Sequence, residues 1–505
     1  MRAWDAARVA AGAGATLLRE PSRAVDGRGP TGVSIDSRRP VAGELFVGLP
    51  GERTDGGEHA VHAIESGAWG VLVAPRHAEA ALQAAGELAG GGAVLEHPDT
   101  LAGLQALARA WRAELRARGA KVLGITGSTG KTSTKDILAA LLAKQMRVAA
   151  SPENRNTEIG LPLAILAAPG DCQALVLEMA MRGSGQIAQL TAIAEPDVGV
   201  IVNVGPAHLQ LLGSIEAIAA AKAELIAGLP HGATVVVPAG EPLLAPHLRA
   251  ELNTVTFGDG GEVSLLEQRG DGSVVIGDRG DEIVLRPSFT QAHNLRNLLA
   301  AVAAAGALGC TPEGDLEVSF SAMRGQRLAL AGGVTLIDDC YNANPVSMCA
   351  AIDDLARTAS ARRVAVLGDM LELGPDAQRL HREIGEHARA SGVELLVSVG
   401  ALAADISGAF ALEDDTAGPP EPPGGDEAAE PPGRAVEAYA VADARAAAEL
   451  LPNLLRDGDT VLVKGSRGVG LELLVAVLGA SAEQAGDDPA GDPVVLAPSA
   501  GRGRR

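Results

Sequence analysis

From Lys121 onward the chain repeats one pattern: an apolar run of strand length, a glycine-bearing turn, then a stretch of helical periodicity. KVLGIT is followed by TSTKDILAALLAK, QALVLEM leads into another helix, and DVGVIVNV precedes SIEAIAAAKAELIAG. Strands that are apolar on both faces and separated by helices pair in parallel, because the crossover helix is what returns the chain to the same end of the sheet. Between Glu262 and Arg286 the pattern gives way to short runs with Gly-Asp turns, which predicts an antiparallel flank. A third block begins near Leu328, with GVTLIDD, RRVAVLGDM, VELLVSVG and TVLVKGS as buried strands among alanine-rich helices. Ahead of Lys121, GELFVGL and WGVLVA mark a smaller α/β unit, and LAGLQALARAWRAELRARG forms a connecting helix.

The expected fold class is therefore α/β with three domains, since 505 residues exceed what one core usually organises. The limits read from the pattern are 1–98 for a small N-terminal α/β domain, 99–327 for the central parallel-sheet domain and 328–480 for a C-terminal Rossmann-like domain. Within the last, the acidic, proline-rich stretch at about 412–434 lacks any period that could bury it and reads as a flexible insertion. Residues 481–505 read as a loose tail.

No apolar run reaches about 18 residues, which excludes an ordinary membrane span, and no stable membrane association is expected. A net charge of -21 repels nucleic acid and anionic lipid, and aromatic residues for base stacking amount to only 2%. Phosphate-bearing ligands must then be captured by local structure. The opening MRAWDAARVAAGAG lacks the apolar core of a secretory signal. Cys172, Cys310, Cys340 and Cys349 have the spacing of neither a zinc site nor a disulfide framework, so a cytoplasmic protein is expected; a monomer is also expected. Of 42 lysines and arginines only six are lysine: Lys121, Lys131, Lys135, Lys144, Lys222 and Lys464. Where any cation serves, this chain uses arginine, so a retained lysine marks chemistry that needs an ammonium able to lose its proton.

GITGSTGKTSTKD follows a strand and opens a helix, the setting in which backbone N–H groups wrap phosphate oxygens. Gly127, Ser128, Thr129, Gly130, Lys131, Thr132 and Ser133 are the ATP-binding candidates, with Lys131 reaching the outer phosphates and the Thr132 hydroxyl on magnesium. Ile125 stands where the usual loop has its first glycine, and a chance GKT among 63 glycines is the competing reading. The flanking strand and helix favour the nucleotide, and the central domain reads as a P-loop ATPase domain. Glu178 ends the strand QALVLEM, where a carboxylate faces the ligand crevice and can hold magnesium beside Thr132. His208, in NVGPAHLQ, lies at the same edge. Lys222 falls four residues after Ile218, seven after Ile215 and three before Leu225, on the apolar stripe of its helix. Burial there favours the neutral amine, which can be modified or act as a base; a stem snorkelling to solvent is the alternative.

Together with QAHNLRN, these stretches resemble the Mur ligase family in kind and order, over roughly Gly32 to Leu478. IDDCYNANPVSM, VLGDMLELG and VLVKGSR resemble the family's D-alanyl-D-alanine-adding member; the DNPR-type and DYAHTP segments of its sister ligases are missing, and YNANP stands in their place. The resemblance implies an ATP-dependent amide ligase that works through an acyl-phosphate, with UDP-N-acetylmuramoyl-tripeptide and D-alanyl-D-alanine as partners. It implies two magnesium ions, one on Thr132 and Glu178, the other on His208 and a carbamate on Lys222. Lys131, Glu178, His208, Lys222 and Arg327 would be catalytic; Asn294 and Asn297 would meet adenine, Arg327 the γ-phosphate and Asp339 the ribose. For the substrates it implies Asp36, Ser37 and Arg38 at the uridine nucleotide, Asn154, Asn156 and Thr157 in SPENRNTEIGLP, then Tyr341, Asn342 and Asn344 of YNANP, and Lys464, Ser466 and Arg467. Three departures stand out: Gly57 where the family usually has histidine, Gly48 where alanine is common, and Thr157 in place of asparagine. A folylpolyglutamate-type ligase is a rival, but that class begins close to its phosphate loop. A P-loop switch that does not ligate is a second rival.

Overall fold

The computed structural model describes residues 1, 3–21, 29–39, 42–88, 91–152, 154–412 and 436–485. It contains three sheets in two compact units. One unit comprises Met1–Arg324 with Asn344–Ala350 and Leu371–Ala377; the other comprises Gly325–Ala343, Ala351–Met370 and the chain from Gln378 onward. The acidic insertion expected at about 412–434 and most of the expected tail fall outside the described residues. Among those described, no helix is long and apolar enough to cross a membrane.

The first unit holds two sheets. The smaller has the strand order Thr16–Arg19, Ala93–Glu96, Gly70–Val73, Leu45–Val47, Val33–Ser34, antiparallel only at its first pair. In the larger, Lys121–Thr126 lies between Ala174–Glu178 and Val198–Ile201, parallel to both. Val148–Ala150 continues the sheet on one side, and Thr234–Pro238 and Asn253–Phe257 continue it on the other, again in parallel. The flank foreseen from the Gly-Asp turns follows as Val263–Gln268, Val274–Asp278 and Asp281–Pro287, paired antiparallel. Val122, Leu123, Ile125, Val176 and Leu177 are fully buried, each contributing about 1.5–3 kcal/mol relative to exposure. The chain passes to one side of Lys121–Thr126 and then crosses to the other, so the carboxyl ends of three neighbouring strands meet at a switch point, where open α/β sheets bind ligands.

The second unit has the strand order Gln326–Ala329, Thr335–Asp338, Thr460–Lys464, Arg363–Gly368, Leu395–Val399, Glu437–Val441, antiparallel only at the first pair. The four strands legible as apolar runs are the inner ones. The two edge strands have no fully buried residue, so they carry no continuous apolar signal.

Candidate active site

The loop after Lys121–Thr126 turns into the helix Lys131–Ala143 at Gly130, which has φ +75 and whose added Cβ would come within 2.5 Å of the Asn297 amide oxygen. Only glycine suits that position. Asn203, just past Val198–Ile201, braces the loop: its Oδ1 accepts from the Ser128 amide at 3.0 Å and the Thr129 amide at 2.9 Å, and its Nδ2 donates to Thr129 Oγ1 at 2.8 Å. The Ser128 hydroxyl donates to Gly205 O at 2.8 Å, and Lys131 Nζ donates back to Gly127 O at 2.8 Å. Burial pushes the Lys131 pKa down and the Arg324 charge adds to this, while Glu178 opposes it. Asn203→Ala removes these three bonds and a fourth, from Nδ2 to Thr129 O at 3.2 Å, so a loss of about 1–3 kcal/mol in unfolding free energy is expected in denaturant melts, with a raised KM for the nucleotide.

Thr132 Oγ1 donates to Glu178 Oε2 at 2.8 Å, and Asn156 Nδ2 donates to Glu178 Oε1 at 2.9 Å. Oxygens this close suit neighbouring positions around magnesium, which takes octahedral oxygen ligands at about 2.0–2.1 Å. No group of three or more His, Cys, Asp or Glu that could hold a metal occurs among the described residues. The 2.8 Å approach of Thr132 Oγ1 to Glu178 Oε2 fits an ion whose shell is completed by phosphate oxygens and water, the usual arrangement for magnesium.

Lys222 is 1% exposed in the helix Ile215–Gly228 and, among the described residues, makes no hydrogen bond or ion pair. It does not snorkel. Burial holds its pKa well below the lysine range, and the Lys131 charge acts in the same direction. An unpartnered buried ammonium is costly, so the neutral amine is the favoured form and fits conversion to a carbamate. His208 has φ +61 and places Nδ1 2.5 Å from Glu372 Oε2. Burial lowers its pKa, the bond to Glu372 works against this, and the Lys131 charge adds to the lowering. The helix that carries Lys222 packs over the phosphate-loop strand, Leu225 lying against Gly124.

Asn294 and Asn297 are buried on the helix Ala292–Gly306, Asn297 donating to Asn294 at 3.2 Å and backing Gly130. Ser133 is half-buried in the first turn after the loop. Of Asn154, Asn156 and Thr157, only Asn156 bonds to the Glu178 carboxylate; Asn154 is exposed, and Thr157 Oγ1 accepts from Gly160 N at 3.4 Å. Asp36, Ser37 and Arg38 follow Val33–Ser34, and Arg38 grips both Asp36 oxygens, holding that carboxyl at about 2. Asn344 caps the helix Pro345–Thr358 by a reciprocal bond pair with Ser347, each 3.0 Å.

In the second unit, Lys464 is 2% exposed and donates to Asp339 Oδ2 at 2.7 Å and to Asn342 O at 3.0 Å. Ser466 Oγ lies 3.5 Å from Ala343 O, Arg467 lies 3.6 Å from Glu472, and Tyr341 is half-buried beside the exposed Asn342. Arg327 donates to Asp354 Oδ2 at 2.8 Å and to Thr358 Oγ1 at 2.6 Å, all within this unit. Within the first unit, Arg324 places Nη2 3.3 Å from Thr132 Oγ1. The sequence reading passed over Arg324, Asn203 and Glu372. Arg324 and Glu372 meet partners more than 160 residues away, and the only signal for Asn203 was its place in NVGPAHLQ.

The profile of the Mur ligase middle domain matches residues 125–305, and that of the Mur ligase glutamate ligase domain matches residues 323–467. The chain is 39% identical over 498 residues to the UDP-N-acetylmuramoyl-tripeptide–D-alanyl-D-alanine ligase of Mycobacterium tuberculosis (strain CDC 1551 / Oshkosh), covering 91% of this chain and 94% of that one. It is 36% identical to the enzyme of the same name from Bacillus subtilis (strain 168), covering 74% and 81%. Among solved structures, MurF from Acinetobacter baumannii matches with a TM-score of 0.77 at 25% identity, covering 94% of this chain and 99% of its own. The MurF ligase of Thermotoga maritima in complex with ADP matches with a TM-score of 0.71 at 27% identity, covering 90% and 98%.

Proposed function

This chain belongs to the Mur ligase family, and we propose that it joins D-alanyl-D-alanine to UDP-N-acetylmuramoyl-tripeptide in an ATP-dependent, ADP-forming amide ligation. The observation that carries the reading is Lys222: a buried amine with no hydrogen-bond or ion-pair partner among the described residues, on a helix whose Leu225 packs over Gly124 of the phosphate-loop strand. Such a group has little use in a switch that only binds nucleotide.

The terminal carboxylate of the tripeptide attacks the γ-phosphorus in line, the bond to ADP breaks, and an acyl-phosphate forms. The dipeptide amine then attacks the acyl carbon, a C–N bond forms, and phosphate departs as the amine proton is lost. Loop amides and Lys131 neutralise the transferring group. Arg324 takes the γ-phosphate role that the sequence reading gave to Arg327, supported by its 3.3 Å approach to Thr132. Magnesium, when bound, supplies Lewis-acid charge stabilisation at the phosphates. Thr132 and Glu178 would hold one ion, and His208 with carbamylated Lys222 a second. Asn294 and Asn297 remain the proposed adenine contacts, Asp339 the ribose contact, and Lys464, Ser466 and Arg467 the dipeptide side. In this reading residues 1–98 take the UDP-muramoyl part, 99–327 the ATP and 328–480 the dipeptide, in a monomer acting in the cytoplasm.

Mass spectrometry of a reaction with ATP, magnesium, UDP-muramoyl tripeptide and D-alanyl-D-alanine is expected to show the pentapeptide product, with phosphate release requiring both the peptide acid and the dipeptide amine. Equal phosphate release on ATP alone, with no product, would refute ligation.

A further inference from the structure

The stretch VLGDMLELG was singled out in the sequence, yet none of the roles above uses it. Its first part ends the strand Arg363–Gly368. Its second part begins Leu371–Ala377, which belongs to the first unit although Met370 and Gln378 on either side belong to the second. What this segment brings to the first unit is a carboxylate. Glu372 Oε2 lies 2.5 Å from His208 Nδ1, and Gln210 N donates to Glu372 O at 3.1 Å. Gly374, at φ +67, sits so close to Gln210 that an added Cβ would come within 3.2 Å of its Cα. The two segments are therefore held in register by backbone as well as by side chains.

Among the described residues five non-glycine residues have positive φ, and two of them are the partners in this contact, His208 at +61 and Glu372 at +63. A left-handed backbone is disfavoured for any residue with a Cβ and persists where the surroundings over-determine it, commonly at functional sites. Arg182 Nε stands 4.0 Å from the other Glu372 oxygen, beyond hydrogen-bond reach, so among the described residues His208 is the hydrogen-bond partner of this carboxylate. A surface pair that served only to offset charge would need no strained backbone on either side.

We infer that Glu372 is a positioning residue whose carboxylate accepts the Nδ1–H of His208, fixing the tautomer in which Nε2 carries the free lone pair and holding the ring in place. The inference rests on the reading of His208 as a metal-binding side chain. A carboxylate behind a ligating imidazole sets its tautomer, orientation and basicity, and losing it costs about 10–100-fold in metal affinity or activity. It also gives Leu371–Ala377 a reason to belong to the unit that carries the phosphate loop.

The test uses full-length protein labelled with ¹⁵N-histidine; ten histidines are present, and His208→Gln identifies the relevant signals. Without nucleotide, the wild type should show His208 protonated at Nδ1 and bare at Nε2. In Glu372→Ala the signals should shift towards the Nε2–H tautomer, and the magnesium concentration for half-maximal turnover should rise about 10–100-fold with the dipeptide KM unchanged. Glu372→Asp, which keeps the carboxylate, should recover part of both effects and guards against a folding defect in the alanine variant. An unchanged tautomer in a folded Glu372→Ala protein would overturn the inference, even if activity fell. Full activity of His208→Gln would instead overturn the reading of His208 itself, a separate outcome because the tautomer is measured without turnover.

Discussion

Lys222→Ala is expected to lower kcat by about 10²–10³-fold, the range seen when one preorganised electrostatic group is removed from a reaction centre. Added formate or acetate should restore part of the rate by supplying the anion that the carbamate would have provided. Lys222→Arg should remain inactive, because a guanidinium keeps its proton and its charge. The same residue makes a stability prediction of the opposite sense. Lys222 is buried without a partner among the described residues, so Lys222→Met, which keeps the volume, should raise the unfolding free energy by about 1–3 kcal/mol. Its folded pKa lies well below the unfolded value, so under mildly alkaline conditions the unfolded chain binds the extra proton. This contribution to stability should rise with pH up to about 10.4 and fall on acidification, and Lys222→Met should lack that slope. Full activity in untreated Lys222→Ala would remove the carbamate from the mechanism.

What was legible in the sequence is what depends on near neighbours. The strand Lys121–Thr126, its loop and the helix Lys131–Ala143 are contiguous, and their apolar periodicity and glycines specify them locally. Lys222 was legible for a different reason: a scarce residue type stood on an apolar stripe, and the helix buries that stripe. The flank at Val263–Pro287 showed itself through its turns. What was not legible depends on closure across the chain. Nothing in LELG says that Glu372 will meet a histidine 164 residues earlier, and nothing in NVGP says that Asn203 will brace a loop 74 residues before it. The edge strands Gln326–Ala329 and Glu437–Val441 escaped because their exposure erases the apolar run that marked the inner four.

Arg324 and Arg327 show the same limit within one short stretch, and substituting each gives the clearest contrast the structure offers. Both lie in MRGQRLAL, where no periodicity tells them apart. Arg324 sits 3.3 Å from the Thr132 hydroxyl and its charge acts on Lys131, whereas Arg327 is spent on Asp354 and Thr358. An arginine that meets the charge of a transferring phosphoryl group is worth about 10³–10⁵ in kcat, so Arg324→Ala should fall by at least about 10³-fold. Arg324→Lys should recover little, since an ammonium cannot reproduce the planar fork. Arg327→Ala should turn over within about tenfold of the wild type but melt earlier, losing about 1–3 kcal/mol as the buried Asp354 gives up one of its two arginine partners, Arg357 being the other. Steady-state phosphate release and denaturant melts on the three variants decide the matter: a catalytic collapse in Arg327→Ala with Arg324→Ala unaffected would return the γ-phosphate role to Arg327.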